Sequence, residues 1–182
     1  MAIRKIARLG HPVLRVPAAE LSLEEITAPE TLQLIQDMRD TVEEANGAGL
    51  AAPQIYESKQ LVLLDLEDGD GMQVWINPKI TPLSEEVVIG FEGCLSVPNM
   101  RGAVARHHKI SVSGYTEQGE PFSIELEDHP AVVAQHECDH LQGILYVDRV
   151  EPFTLSFLEE YRKFGHLLWK FIDDESEMSE EV

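Results

Sequence analysis

Cysteine is scarce in this sequence of 182 residues: Cys94 and Cys138 are the only two. Two thiols cannot staple a small secreted fold, so a disulfide framework is excluded and a reducing, cytoplasmic setting is expected. Long apolar runs are absent too. The longest extend a few residues, against the roughly 20 needed to cross a bilayer, and no membrane segment is expected. Met-Ala-Ile-Arg-Lys at the start has no apolar stretch behind its charges, so a signal peptide is not expected either. Basic residues are few, 14 Lys and Arg against 33 Asp and Glu, for a net charge of −19. A surface that acidic repels phosphate backbones, and direct nucleic-acid binding is not expected. What remains, 43% hydrophobic and 26% charged, is the composition of an ordinary globular protein. A chain this long buries roughly 70% of its unfolded surface. No repeat or low-complexity linker divides it, so one domain is expected over residues 1–172.

Periodicity supplies the elements. From Pro29 to Asn46 the apolar residues Leu32, Ile35, Met38, Val42 and Ala45 recur every three or four positions, which predicts an amphipathic helix stopped by Gly47. Five strand-like runs follow: Gln60–Leu66, Gln73–Ile76, Glu86–Phe91, Lys109–Tyr115 and Pro121–Glu127. A second helix is predicted from Pro130 to Leu141. A third follows Glu151-Pro152, with Leu155, Leu158, Tyr161, Phe164, Leu168 and Phe171 packing it on the sheet. Residues 173–182 carry six acidic side chains and read as a solvated, disordered tail. Strands in runs, without strict strand–helix alternation, predict an α+β fold with antiparallel β-sheets and a C-terminal helix.

The sharpest local signal is His136-Glu137-Cys138-Asp139-His140. Residues four apart share a helix face, so both imidazoles can point at one ion, with Glu137 near enough to act as a base. Two ordinary surface histidines would give the same pattern. Here Val132, Val133 and Ala134 precede it, and a buried helix must give its polar groups a partner. Cys138 points away around the helix and reads as a packed thiol. Cys94, in Glu92-Gly93-Cys94-Leu95-Ser96, is the better third ligand, although an isolated cysteine is most often a core residue. Gly47-Ala48-Gly49-Leu50-Ala51-Ala52-Pro53-Gln54 lets backbone approach a ligand or another strand. Gln54 could face a developing oxyanion or tie the glycine loop to the next strand.

Taken together, the three segments resemble the signatures of the peptide deformylases, in the same order: Gly47–Gln54, Glu92–Ser96 and Gln135–His140. The similarity runs from about Ile6 to Val150. It implies antiparallel sheets around a central metal-binding helix, and a hydrolase that removes the formyl group from the N-terminal formyl-methionine of nascent polypeptides, releasing formate. By position, Cys94, His136 and His140 match the metal ligands and Glu137 the general acid/base that activates the metal's water. The Gln54 side chain and the Leu95 backbone N–H match the oxyanion donors. Ala48, Val132, Val133 and His136 would line the methionine pocket, Gly49 and Gly93 would pair with the peptide, and Arg101 would lie at the mouth. The metal implied is Fe2+, with Ni2+, Co2+ or Zn2+ able to replace it.

Two departures stand out. His129 sits where several relatives have an apolar pocket residue, and Ala105 replaces a proline common before the arginine matched by Arg106. Relatives dock transiently at the ribosome, but this acidic tail offers no basic handle for ribosomal RNA, and a monomer is expected. A metallopeptidase built on the same His-Glu-x-x-His helix is the rival, with Glu159, Glu160 or His166 as third ligand. That reading leaves Cys94 without a role.

Overall fold

The computed structural model describes residues 2–66, 69 and 71–178, with side chains as far as Ile172. A short helix α1 (Leu23–Ile26) leads into α2 (Pro29–Glu44). Pro29 starts α2 at a position where a missing N–H costs nothing. The chain leaves α2 through Asn46, whose φ is 51°. Asparagine tolerates that left-handed turn, so the stop falls just before the expected Gly47.

Eight strands follow among the described residues: β1 (Gly49–Ala51), β2 (Leu61–Asp65), β3 (Met72–Pro82), β4 (Val87–Cys94), β5 (Val97–His107), β6 (Lys109–Tyr115), β7 (Pro121–Glu127) and β8 (Ser156–Phe157). They form a five-stranded sheet in the order β1-β2-β3-β6-β7 and a three-stranded sheet in the order β4-β5-β8. Every strand pairing in both sheets is antiparallel. Two further helices are α3 (Asp128–Leu141) and α4 (Leu158–Met178).

Burial explains the arrangement. Strand residues point alternately to opposite faces, and β2 uses both. Leu61 and Leu63 pack with Leu34, Ile35, Met38 and Val42 of α2. Val62 and Leu64 pack with Ala131, Val133, Ala134 and Leu141 of α3. The large sheet is thus held between α2 and α3, and α3 lies at the centre of the molecule. A third cluster of Leu14, Val97, Val104, Leu145 and Tyr146 joins the small sheet to the chain beyond α3.

Several expectations change in detail. The Gly47–Gln54 segment, read as a loop, contains the edge strand β1 and a 3-10 turn over Ala52–Ile55. The long β5 was not predicted; Pro98, Asn99 and Gly102 are residues that strands disfavour. β4 supplies a hairpin partner that overrides them, in register from Val87 against His107 to Cys94 against Val97. Leu155 precedes β8 rather than belonging to the last helix. That helix packs Tyr161 and Trp169 on Phe91 of β4, while Phe164, Leu167 and Phe171 stay exposed. It also continues to Met178. Helical backbone thus runs into the acidic stretch; residues 179–182 lie outside the described residues.

Candidate metal centre

Two elements bring the three expected ligands together. The helical repeat of α3 places His136 and His140 one above the other, with ring centroids 5.1 Å apart. The end of β4 delivers Cys94 from the other sheet. One donor atom from each of Cys94, His136 and His140 lies within 4.8 Å of the others. Cys94 Sγ stands 3.3 Å from His140 Nε2 and accepts from the Ser96 backbone N–H at 3.4 Å. Cys138, on the same helix, is not part of the cluster, and burial pushes its thiol up.

Behind the cluster lies a chain of charges that the sequence reading left without a role. His136 Nδ1 is 2.7 Å from Glu92 Oε2, which leaves its other ring nitrogen for the cluster. Arg106 grips Glu92 in a two-pronged bond at 2.8 and 3.0 Å. The same guanidinium reaches Asp139 at 2.5 Å, and Arg149 holds Asp139 from outside at 2.7 and 2.9 Å. Carboxylate partners of this kind fix the tautomer and orientation of a ligating histidine. Burial alone would raise the Glu92 pKa, but the bonds from His136 and Arg106 outweigh it and hold it at about 2. Glu92 was inside a quoted motif and Arg106 beside a noted departure. Only the fold, which pairs β4 with β5, reveals that they meet.

The two histidines are pushed in opposite directions. Burial would lower the His136 pKa, yet Cys94, Glu92 and Glu137 around it hold it well above the ordinary value. Burial, with His136 and Arg106 adding to it, lowers that of His140, which keeps its ring neutral. A thiol and two imidazoles, one backed by a carboxylate, fit a divalent cation of intermediate softness.

Glu137 is 5% exposed, and its Oε2 is buried with no hydrogen-bond partner. Burial pushes its pKa up to about 7, with His136 opposing and Glu92 adding to the shift. Its carboxyl lies against β1 so closely that a Cβ on Gly49 would sit 2.5 Å from Oε1. Any side chain there would displace the carboxylate. Gln54 is 2% exposed and already engaged: Oε1 accepts from the Ala51 N–H at 2.8 Å. Its Nε2 donates to Ser96 Oγ at 3.2 Å and to Cys94 Sγ at 3.5 Å.

A groove of about 930 Å³ opens beside this cluster. Ala48, Gly49, Gly93, Leu95, Arg101, Val132 and Val133 all face it, as do Gln54, Cys94, His136 and Glu137. His140 lies beneath, 1% exposed. His129 is at the wall as well. So are Phe91 of β4 and Leu158 and Tyr161 of α4; nothing in the sequence spacing connects the two α4 residues to the site.

The comparisons agree with this geometry. The family profile described as Polypeptide deformylase matches residues 3–155. The chain belongs to the peptide deformylase family. It is a hydrolase that removes the formyl group from the N-terminal formyl-methionine of nascent peptides, and the family is one of metalloenzymes. A peptide deformylase of Leptospira biflexa is 42% identical over 178 residues, spanning 92% of this chain and 99% of that protein. Among solved structures, the class I type b peptide deformylase of Acinetobacter baumannii, bound to Met-Ala-Ser, is 38% identical with a TM-score of 0.76. It covers 82% of this chain and 99% of its own. The peptide deformylase of Thermotoga maritima is 35% identical with a TM-score of 0.78, covering 84% and 100%. No helix among the described residues is long and apolar enough to cross a membrane.

Proposed function

We propose that Cys94, His136 and His140 hold one divalent ion, ferrous iron in the cell, with nickel, cobalt or zinc able to take its place. Bound there, the ion would supply Lewis-acid polarisation of the formyl carbonyl and acidify water. The remaining work falls to the chain's own groups. Glu137 Oε2 accepts a proton from the attacking water as its oxygen bonds to the formyl carbon. The same carboxyl passes that proton to the amide nitrogen as the C–N bond breaks, leaving formate and a free amine. A carboxyl near pKa 7 suits a group that must both take and give a proton at neutral pH. Gln54 Nε2 and the Leu95 backbone N–H, both neutral donors, face the oxygen that gains charge.

The methionine side chain enters the slot between Ala48, Val132 and Val133, beside His136. The peptide beyond it lies extended between two strand edges. β1 and β4 are both outermost in their sheets, and Gly49 and Gly93 bring their backbones to the groove. Main-chain bonding to such edges holds a peptide whatever its sequence. Residues 1–172 form the catalytic domain in this reading. It acts as a cytoplasmic monomer on chains emerging from the ribosome, by transient association.

The observation that carries the proposal is a buried, unpartnered Glu137 oxygen beside three converging donors at the foot of an open groove. Anaerobically purified protein should contain one iron per chain and release stoichiometric formate from formyl-Met-Ala-Ser. Cleavage of a main-chain amide without formate would instead support a metallopeptidase.

A further inference from the structure

The three donors of the cluster ride on two separate elements. Cys94 ends β4, while His136 and His140 lie on α3 together with Glu137. Apolar packing holds α3 to the large sheet through Ala131, Val133, Ala134 and Leu141. Burial of that kind is non-directional. It fixes the rotation of a helix about its own axis less sharply than hydrogen bonds do.

Directional bonds come from β5, the hairpin partner of β4. Three successive residues at and just past its end each hold a different point of α3. Arg106 pairs with Asp139, and the His108 carbonyl accepts from the Asp128 N–H at 3.1 Å. Between them Gln135, which is 8% exposed, binds the backbone of His107. Its Oε1 accepts from the His107 N–H at 3.0 Å, and its Nε2 donates to the His107 carbonyl at 2.9 Å. Nε2 also donates to the Ala131 carbonyl at 2.9 Å, one turn back along α3. The amide thus stands where another strand would pair, on the edge of β5 away from its β4 partner Val87. One acceptor and two donors are needed, which a side-chain amide carries and a carboxylate does not.

Gln135 is also the neighbour of a ligand. Successive residues on an α-helix are about 100° apart, so the face that Gln135 fixes on β5 sets where His136 points. A helix with its side chains is about 10–12 Å across, so a turn of about 10° moves a side-chain tip by about 1 Å. A misplacement of about 1 Å can cost about 10²-fold in rate.

We propose that Gln135 is a positioning residue for the metal centre. By clamping the His107 backbone it locks α3 to the β4–β5 hairpin, and so holds His136, His140 and Glu137 in register with Cys94. The inference rests on the site reading above. The clamp is neutral and acts beside the ionic chain that runs through Arg106 and Glu92.

The test uses Co2+-loaded protein, in which the absorption bands of the ion report its ligands and their geometry. Gln135→Met keeps the length of the side chain and removes all three bonds. It should hold Co2+ about 10–100-fold less tightly against a chelator, the usual loss when a group that orients a ligand is removed. Its cobalt bands should shift, and kcat on formyl-Met-Ala-Ser should fall by a larger factor than KM rises. Gln135→Asn, which keeps a neutral amide one methylene short, should fall between the two and stands in if the Met variant does not fold. Melts of the metal-free proteins separate aim from stability. Wild-type cobalt bands and affinity in either variant, whatever its melting temperature, would overturn the proposal and leave the amide a structural tie. Wild-type protein without a thiolate-to-cobalt band would instead bring down the reading of Cys94 as a ligand.

Discussion

Glu137 and Gln54 differ in what their surroundings leave free. Glu137 has a buried oxygen with no partner, so the fold holds it for something other than stability. Glu137→Gln should keep the metal and the melting temperature, and should lower kcat by roughly 10²–10⁴, the range of positioned acid–base groups. Metal analysis beside a formate assay checks both halves, and near-full turnover in a loaded variant would exclude Glu137 as the base. The Gln54 amide, in contrast, is bonded at both ends. Gln54→Leu strips the partner from the buried Ala51 N–H, which should destabilise the fold by about 1–3 kcal/mol. It should also lower kcat by roughly 10²–10³ through the lost oxyanion donor. Both roles read from the sequence, donor to substrate and tie for the glycine segment, can belong to one amide. Thermal melts and single-turnover rates separate them.

At the scale of elements, local pattern made β6 and β7 legible to their end residues, Lys109–Tyr115 and Pro121–Glu127. The His136–His140 face was legible for the same reason, since i and i+4 is a local rule. Cys94 could be suspected but not placed, because its position depends on how two sheets meet. β5 escaped notice altogether, and with it the role of Arg106. That arginine is 4% exposed and joins β5 to both β4 and α3, through Glu92 and Asp139. Removing one member of such a buried network leaves an unpaired charge, typically at a cost of about 3–5 kcal/mol. Arg106→Ala should therefore lower Tm by roughly 6–20 °C for a chain of this size. It should also weaken metal retention, because Glu92, which orients His136, loses the guanidinium that holds it. A variant with normal metal content and normal Tm would show that the network neither supports the fold nor aims the ligand.

The whole molecule is closed by its N-terminal segment, which sequence periodicity left blank because it forms neither a long helix nor a sheet strand. Ala7 donates to the Gln54 carbonyl at 2.7 Å and Leu9 to the Ser96 carbonyl at 2.8 Å, so the segment props the backbone of two residues that bond to Cys94 Sγ. Further on, Ala18 donates to the Leu141 carbonyl at the end of α3. Between these points Arg15 clasps Asp148 with two guanidinium bonds, while Asp148 also accepts from the Leu145 N–H at 2.8 Å. Burial alone would raise the Asp148 pKa; the bonds from Arg15 and Leu145 outweigh it and hold it below the ordinary 3.8. The sign of the pH effect follows from that depression. The folded state binds the Asp148 proton less readily than the unfolded chain, so the clasp contributes its full stability above pH 3.8 and loses it as pH falls through the lower folded value. Asp148→Asn should thus melt below wild type at pH 7, by a modest amount because the pair is more than a third exposed. The gap should close progressively in melts taken below pH 3.8. A gap that stayed constant from pH 7 into that acid range would mean that the carboxylate's charge plays no part in fastening the N-terminal segment, and that any loss comes from shape and hydrogen bonding alone.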